Sequence, residues 1–459
     1  MSTLRPYPNY QMSGLAWCAR IPSHWQVARP KTLFQQMERP VRPQDDVVTC
    51  FRDGVVTLRK NRRVAGFTES LKEIGYQGIR KGDLVIHAMD AFAGAIGVSD
   101  SDGKGTPVYA VCQPNVGVSA HYYAFVLREM SRIGYLLALA KGIRERSTDF
   151  RYKDFARESV PVPPPNEQEA IVRFTRHVDH RVNRLITAKR KLIALLNEQK
   201  QVIIQQAVTK GLDPTVPLKS SGVDWLGDIP IHWEVKPLKR LFREVDERTT
   251  TGAEELLSVS HLTGITPRSQ KNITMFMAAS YVGHKICRPN DLVTNTMWMW
   301  MGALGVSGVT GIVSPSYAVY RPNSSTQVLG SYVDLLARTR MYIDEFTKRS
   351  TGIRLSRLRL YPEEFLRMPV LVPPLSEQEA ICTQVSEATG YLQIAIEKAQ
   401  REIDLIREYR THLVADVVTG QLDVCHLDLS DIDDEPVDLA DKPDDLEDVP
   451  DDDLMEAAL

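Results

Sequence analysis

A chain that repeats itself at an offset near 210 residues has to fold as two copies of one plan, and this chain does repeat itself. SGLAWCARIPSHW, Ser13 to Trp25, returns as SGVDWLGDIPIHW, Ser221 to Trp233, at an offset of 208. VPPPNEQEAI, ending at Ile171, returns as VPPLSEQEAI, ending at Ile381, at an offset of 210. Between these blocks GAIGVSDSDGKGTPVYAVCQPN (Gly94 to Asn115) stands against GALGVSGVTGIVSPSYAVYRPN (Gly302 to Asn323). A period of this length excludes solenoid and propeller arrays, whose units run to about 20–50 residues.

Each copy has the same internal order: a Gly- and aromatic-bearing stretch of roughly 145 residues, a proline-rich hinge, and a polar segment with helical periodicity. The polar segments align without a gap, Asn166 to Leu212 against Ser376 to Leu422, whereas the stretches before them align in patches. In the first, Ile171, Phe174, Val178, Val182, Leu185, Leu192, Leu195, Leu196, Ile203 and Ile204 are expected on one stripe of a helix. In the second, Ile381, Val385, Leu392, Ile396, Ile403, Ile406, Leu413 and Val417 repeat it. Forty-odd residues make a rod of roughly 65 Å, so two such amphipathic helices are expected to pack on each other, antiparallel. Asn166 and Ser376, three residues before Glu169 and Glu379, have capping-box spacing behind stopping prolines. The expected boundaries are 1–20, 21–165, 166–212, 213–228, 229–375, 376–424 and 425–459.

The length allows about three domains with real cores. No run of 18 apolar residues and no cationic-then-apolar leader occurs, so a cytoplasmic chain without membrane insertion is expected. Six scattered cysteines, with no Cys-x-x-Cys pair, read as reduced and mostly buried rather than as a zinc site. A formal charge of −2 conceals an asymmetry: from His426 onward 15 acidic residues meet one base, Lys442, and the rest of the chain is basic. That acidic stretch reads as disordered and solubilising; a basic body suits a polyanionic partner, as do long Lys/Arg-rich helices.

Short apolar runs such as GDLVIHA (Gly82 to Ala88), VYAVC (Val108 to Cys112), DLVTNTMW (Asp291 to Trp298) and YAVYRP (Tyr317 to Pro322) read as strands. Helices are expected over Tyr122–Leu137 and Tyr332–Phe346, giving α+β domains with curved, mostly antiparallel sheets. The run TMWMWM (Thr296 to Met301) reads as core packing at a strand. Basic clusters stand at Arg59, Lys60, Arg62 and Arg63, and at Lys348, Arg349, Arg354, Arg357 and Arg359, whose counterparts in the first copy are Lys141, Arg144, Arg146 and Arg151. Recurrence at one place, beside Gly142 and Gly352, favours phosphate contact over a solvated face.

Catalytic motifs are missing: no Asn/Asp-Pro-Pro-Tyr/Phe and no Gly-x-Gly-x-x-Gly. GVSDSDGKGT (Gly97 to Thr106) approaches a phosphate loop, but its first glycine is one residue too far and Gly105 stands where Ser or Thr is required. His24 and His232 recur beside Trp25 and Trp233, which points to packing or capping before a general base.

With these residues assembled, the chain resembles the DNA-specificity subunit of Type I restriction-modification enzymes. The resemblance rests on IPxHW at Ile21 and Ile229, the GxxGVS…SPxYxVxxPN run at Gly302 to Asn323 and its looser form at Gly94, and the EQEAI segments after Pro164 and Pro374; it extends to about Val424. It implies two tandem α/β target-recognition domains separated by two long antiparallel coiled-coil helices, pseudo-twofold symmetric. Each domain would read half of a bipartite site on double-stranded DNA. The helices would act as a ruler and dock two modification subunits, with two restriction (motor-nuclease) subunits as further partners. S-adenosylmethionine, ATP and Mg belong on the partner subunits, and no cofactor, metal or catalytic residue is expected on this chain. The rival readings are a chain with its own methyltransferase or nuclease activity, and a coiled-coil adaptor that does not bind DNA. The first copy departs from the family pattern at Thr106-Pro107-Val108-Tyr109.

Overall fold

Every named strand pair in the structure is antiparallel, as expected for apolar runs separated by turns. The structure is a computed structural model and describes residues 4–62, 74–139, 149–261, 263–270, 280–323, 328–352 and 358–427. The acidic stretch from 428 onward lies outside the described residues. Two compact units emerge: one takes the chain up to Thr187 together with the stretch from Glu402, and the other takes Ala188–Arg401.

The first unit is built on a four-stranded sheet in the order Phe34–Gln36, Tyr109–Pro114, Leu84–His87, Ile96–Val98. The second unit repeats it as Phe242–Val245, Ala318–Pro322, Leu292–Thr294, Leu304–Val306. Because strand side chains alternate between faces, a sheet covered on both sides needs continuous apolar runs. The second unit shows the division: Leu292, Ala318 and Tyr320 join the core with helix residues Tyr332, Leu336 and Phe346. Val293 and Val319 instead join Leu257 and Val259 of the hairpin Leu257–Ser260/Gly264–Pro267. In the first unit Val85, Tyr109 and Val111 face the hairpin residues Val48, Cys50 and Val56 in the same way.

Several local expectations are corrected. Each of the two expected helices is broken: Ala120–Arg132 is followed by Tyr135–Leu139, and Gly330–Ala337 by Arg340–Arg349. Gly134 at φ +77° makes the first break. At the second, the Thr339 hydroxyl donates to the Leu336 carbonyl (2.7 Å), taking it from the helix ladder. In the second unit Tyr332, Leu336, Tyr342 and Phe346 of the two pieces share one core, so apolar periodicity runs through the break. TMWMWM packs against the sheet through Met297 and Met299, as expected, but is not itself strand: the strand ends at Thr294, and Met299–Met301 is a 3-10 turn. Only Thr296 and Met299 of it are buried, and the Trp298 and Trp300 rings stack with centroids 5.8 Å apart. The near-miss phosphate loop is strand, turn and strand, with Gly103–Gly105 paired to Gln77–Ile79.

The long helices are Pro165–Lys210 and Leu375–Val418. In both units they run antiparallel. In the first unit, Gly420, just past the end of the second helix, lies against Trp25, whose indole holds Glu167 at the start of the first; further along, Arg410 Nε donates to Asp179 (2.8 Å). In the second unit Gly211, past the end of the first helix, lies against Glu377 and Trp233 at the start of the second, and Lys200 donates to Gln393 (3.0 Å). Both glycines take positive φ (+77° and +74°), the left-handed helix terminator. A Cβ at Gly420 would stand 2.5 Å from Pro22 Cδ and 2.8 Å from the Trp25 ring, so no other residue fits there.

The first helix also carries two apolar stripes where one was expected. Its buried seam passes through Val178, Val182, Ile186 and Ile204, while Leu185, Leu192 and Leu195 are exposed. Neighbours such as Leu185 and Ile186 point about 100° apart, and periodicity alone could not choose between them. Among the described residues, no helix is long and apolar enough to cross a membrane.

Candidate nucleic-acid interface and the helix anchors

The recurring motifs meet at the helix starts. Both long helices begin one residue earlier than expected, at Pro165 and Leu375, so Pro164 and Pro374 occupy the cap position. A proline has no N–H to offer, and the capping box at Asn166 and Ser376 is therefore replaced. Glu167, in the first turn, accepts from the Trp25 indole N–H (2.8 Å) and the Tyr7 hydroxyl (3.0 Å), and its other oxygen lies 2.7 Å from His24 Nε2. Glu377 repeats the arrangement with Trp233 (3.0 Å) and His232 (2.7 Å). A carboxylate in the first turn also suits the positive end of the helix.

The adjacent glutamines bridge the other way. Gln168 donates to the Pro163 carbonyl (2.9 Å) and accepts from Ser119 N (2.9 Å), at the cap of Ala120–Arg132. Gln378 donates to Pro373 (2.8 Å) and accepts from Leu329 N (2.8 Å), at the cap of Gly330–Ala337. Both His-Trp motifs and both Glu-Gln motifs are thus one device that fixes each long helix to the sheet domain of its unit. The signal for this device is the EQ pair that recurs at Glu167-Gln168 and Glu377-Gln378, one residue beyond the Asn166 and Ser376 of the expected capping boxes.

The basic candidates are more dispersed. Arg59 and Lys60 form a 3-10 turn after the first hairpin; Arg59 donates to Thr49 (3.2 Å), and Lys60 pairs with Asp46 (2.5 Å). Arg62, only 15% exposed, pairs with Asp53 (2.5 Å) and lies over the Phe51 ring at 4.5 Å. Lys348 and Arg349, in the last turn of their helix, share Glu345 at 2.8 and 3.3 Å. Burial opposes charge on Glu345, but these two bonds outweigh it and hold the carboxyl below its usual range. Arg151 pairs with Asp149 (2.6 Å), and Arg359 Nη2 lies 3.7 Å from Met297 Sδ. Arg63, Lys141, Arg144, Arg146, Arg354 and Arg357 lie outside the described residues.

Lys60, Arg151 and Lys348 are each more than 60% exposed despite their carboxylate partners. Exposed ion pairs of this kind are worth about 0–1 kcal/mol, so exchanging the carboxylate for a phosphate oxygen costs little. Charge alone therefore leaves these three cations usable by a polyanion, whereas Arg62 is engaged in the hairpin's own packing.

No family model matches the chain, and no curated protein matches it. Among solved structures, a chain from a structure described as the complex assembly and conformational transition of the type I R-M system is 16% identical, with a TM-score of 0.62 over 88% of this chain and 99% of that one. The HsdS subunit from Thermoanaerobacter tengcongensis is 16% identical (TM-score 0.45, 88% and 98% covered). The type I restriction-modification system S subunit from M. genitalium is 12% identical (TM-score 0.34, 86% and 96% covered). The first of these likenesses shows that the chain has the fold of a type I system component, and the other two structures are named S subunits.

Proposed function

We propose that this chain is the sequence-specific DNA-recognition subunit of a type I restriction-modification complex, non-catalytic itself and reading one half of a bipartite site with each sheet domain. The observation that carries this reading is a scaffold built twice, with its anchors repeated and its side chains changed at corresponding surface positions. Glu167 and Glu377 each accept from the Trp indole and meet the His of their own unit, Gln168 and Gln378 bridge equivalent backbone groups, and Tyr122 and Tyr332 donate to the Val418 and Val208 carbonyls. At the surface, Asp149 stands where the second unit has Arg359, and Arg151 where it has Tyr361. Two frames of one design with different surface chemistry suit two different half-sites.

The outward stripes of the long helices support docking of modification subunits. Leu185, Leu192, Leu195 and Val202 on the first helix, and Tyr391, Ile394, Leu405 and Tyr409 on the second, are 43–80% exposed. Repeated large apolar side chains on an open helix face mark an interaction surface. In this reading S-adenosylmethionine, ATP and Mg are held by the modification and restriction subunits, and the long helices set the spacing of the half-sites.

Two results are expected from the purified chain. Incubated with labelled S-adenosylmethionine and duplex DNA, it transfers no methyl group; transfer by the chain alone would overturn the non-catalytic assignment. It binds duplex DNA with a steep salt dependence, and Lys60→Ala and Lys348→Ala each reduce the slope of log affinity against log salt by about one while sequence preference is kept. Unchanged slopes in both would return these lysines to the solvated surface.

A further inference from the structure

The two units can be superposed in sequence wherever the duplication is clear, and one junction keeps its backbone while exchanging its chemistry. In the first unit Phe150 N donates to the Ala88 carbonyl (3.0 Å), tying the segment after the second basic cluster to the turn that follows a central strand. In the second unit Leu360 N donates to the Thr296 carbonyl (3.0 Å) at the corresponding place. Around the first junction Gln36, Met89, Tyr109, Asp149, Arg151 and Tyr152 line a cleft of about 590 Å³. Gln36 is exposed, as is Met89, and the Asp149–Arg151 pair holds one carboxylate and one guanidinium at its rim.

At the second junction the corresponding side chains differ in kind. Glu244 replaces Gln36, Arg359 replaces Asp149, and Tyr361, 53% exposed, replaces Arg151. Met297 keeps the place of Met89, with the Arg359 guanidinium against its sulfur and the Trp300 indole N–H donating to its carbonyl (3.0 Å). Side chains that only position a duplex on its phosphates have no reason to alternate between acid, base, amide and phenol. Those that read base edges do, because Arg matches guanine, Gln matches adenine, and Asp or Glu accepts from cytosine.

We infer that this junction is where each unit reads its half-site, with Gln36, Asp149 and Arg151 the specificity-determining residues of the first unit and Glu244, Arg359 and Tyr361 those of the second. The inference rests on the DNA-recognition reading above. It also sets Arg151 and Arg359 apart from the basic residues near them, as contacts to bases rather than to phosphates. The ligand of the cleft is the edge of a base pair in double-stranded DNA, and each unit uses its own donor and acceptor set on a shared frame.

The test is selection from a random pool of duplexes by the full chain, followed by sequencing, for the wild type and three variants: Arg151→Ala, the pair Asp149→Arg with Arg151→Tyr, and Tyr361→Phe. These side chains are surface-facing, and a thermal melt identifies any variant that has lost its fold; Gln36→Ala then stands in for the first-unit variants. The wild type is expected to enrich a bipartite motif. The first-unit variants lose about tenfold or more in preference at one or two base pairs of one half-site, Tyr361→Phe does so in the other half-site, and affinity for unrelated duplex stays within about threefold. An unchanged motif in all variants overturns the inference and leaves the recognition reading intact. A uniform loss across all sequences assigns the residues to phosphate and also overturns it. A wild-type chain that enriches nothing removes the recognition reading, and this inference with it.

Discussion

Replacing Glu167 by alanine is expected to destabilise the first unit by about 2–5 kcal/mol, because two buried donors lose their shared acceptor at once. The Trp25 indole is 1% exposed and Tyr7 6%, and each unsatisfied buried donor costs about 1–3 kcal/mol. The Tyr7 phenol is pushed well above its usual range by burial, with the neighbouring Cys425 and Glu167 adding to it, so it remains a proton donor. Loss of a carboxylate at a helix N-terminus adds about 0.3–1 kcal/mol. For a unit of this size the melting temperature should fall by roughly 5–15 °C, read by differential scanning calorimetry. Glu377→Ala should shift less, since Glu377 serves Trp233 and a half-exposed His232 and, among the described residues, has no counterpart to the Tyr7 bond. Glu167→Gln should recover part of the loss through its amide oxygen. A shift for Glu167→Ala below about 2 °C would show that the anchor is ornamental.

Inserting four residues into each long helix, after Ala194 and after its counterpart Asp404, is expected to move the recognised half-sites apart without changing them. Each insertion adds ~6 Å along a helix axis, and a base pair occupies ~3.4 Å, so the gap should grow by about one to two base pairs. Four residues are a little over one turn, and such a stutter leaves the apolar seam displaced by only about 40°. The pairing of Arg410 with Asp179 and of Lys200 with Gln393 lies on either side of the insertion points, within separate units, and should survive it. Methylation mapping of the assembled complex reads the outcome. A complex that assembles and keeps the original gap would show that the helices do not set the spacing.

The candidate site was legible only in part. Clusters of Lys and Arg can be found by eye, but whether a cation is committed to packing depends on which ring and carboxylate the fold places beside it. Arg62 and Lys60 are two residues apart, yet Arg62 lies 15% exposed over Phe51 and Lys60 stands 63% exposed. The junctions at Phe150 and Leu360 could not be found from either copy alone, since each joins segments about 60 residues apart through a backbone hydrogen bond.

The duplication, the helical rods and the antiparallel strand-and-turn character of the domains are legible in the chain alone, because each is written in local order: repeats, apolar period, prolines and glycines. Packing chose which face of a rod is a seam and which is open: Leu185 and Ile186 are equally apolar, yet the first is 50% exposed and the second 9%. It decided that the Met/Trp run turns out of the strand at Thr294, where Gly302 at φ +85° lets the chain reverse into Leu304–Val306. It decided, above all, that the recurring His-Trp and Glu-Gln motifs are two ends of one contact. Residues 142 and 144 positions apart meet at one carboxylate, and no local pattern carries that distance, because it is set by how each sheet domain packs against the start of its helix.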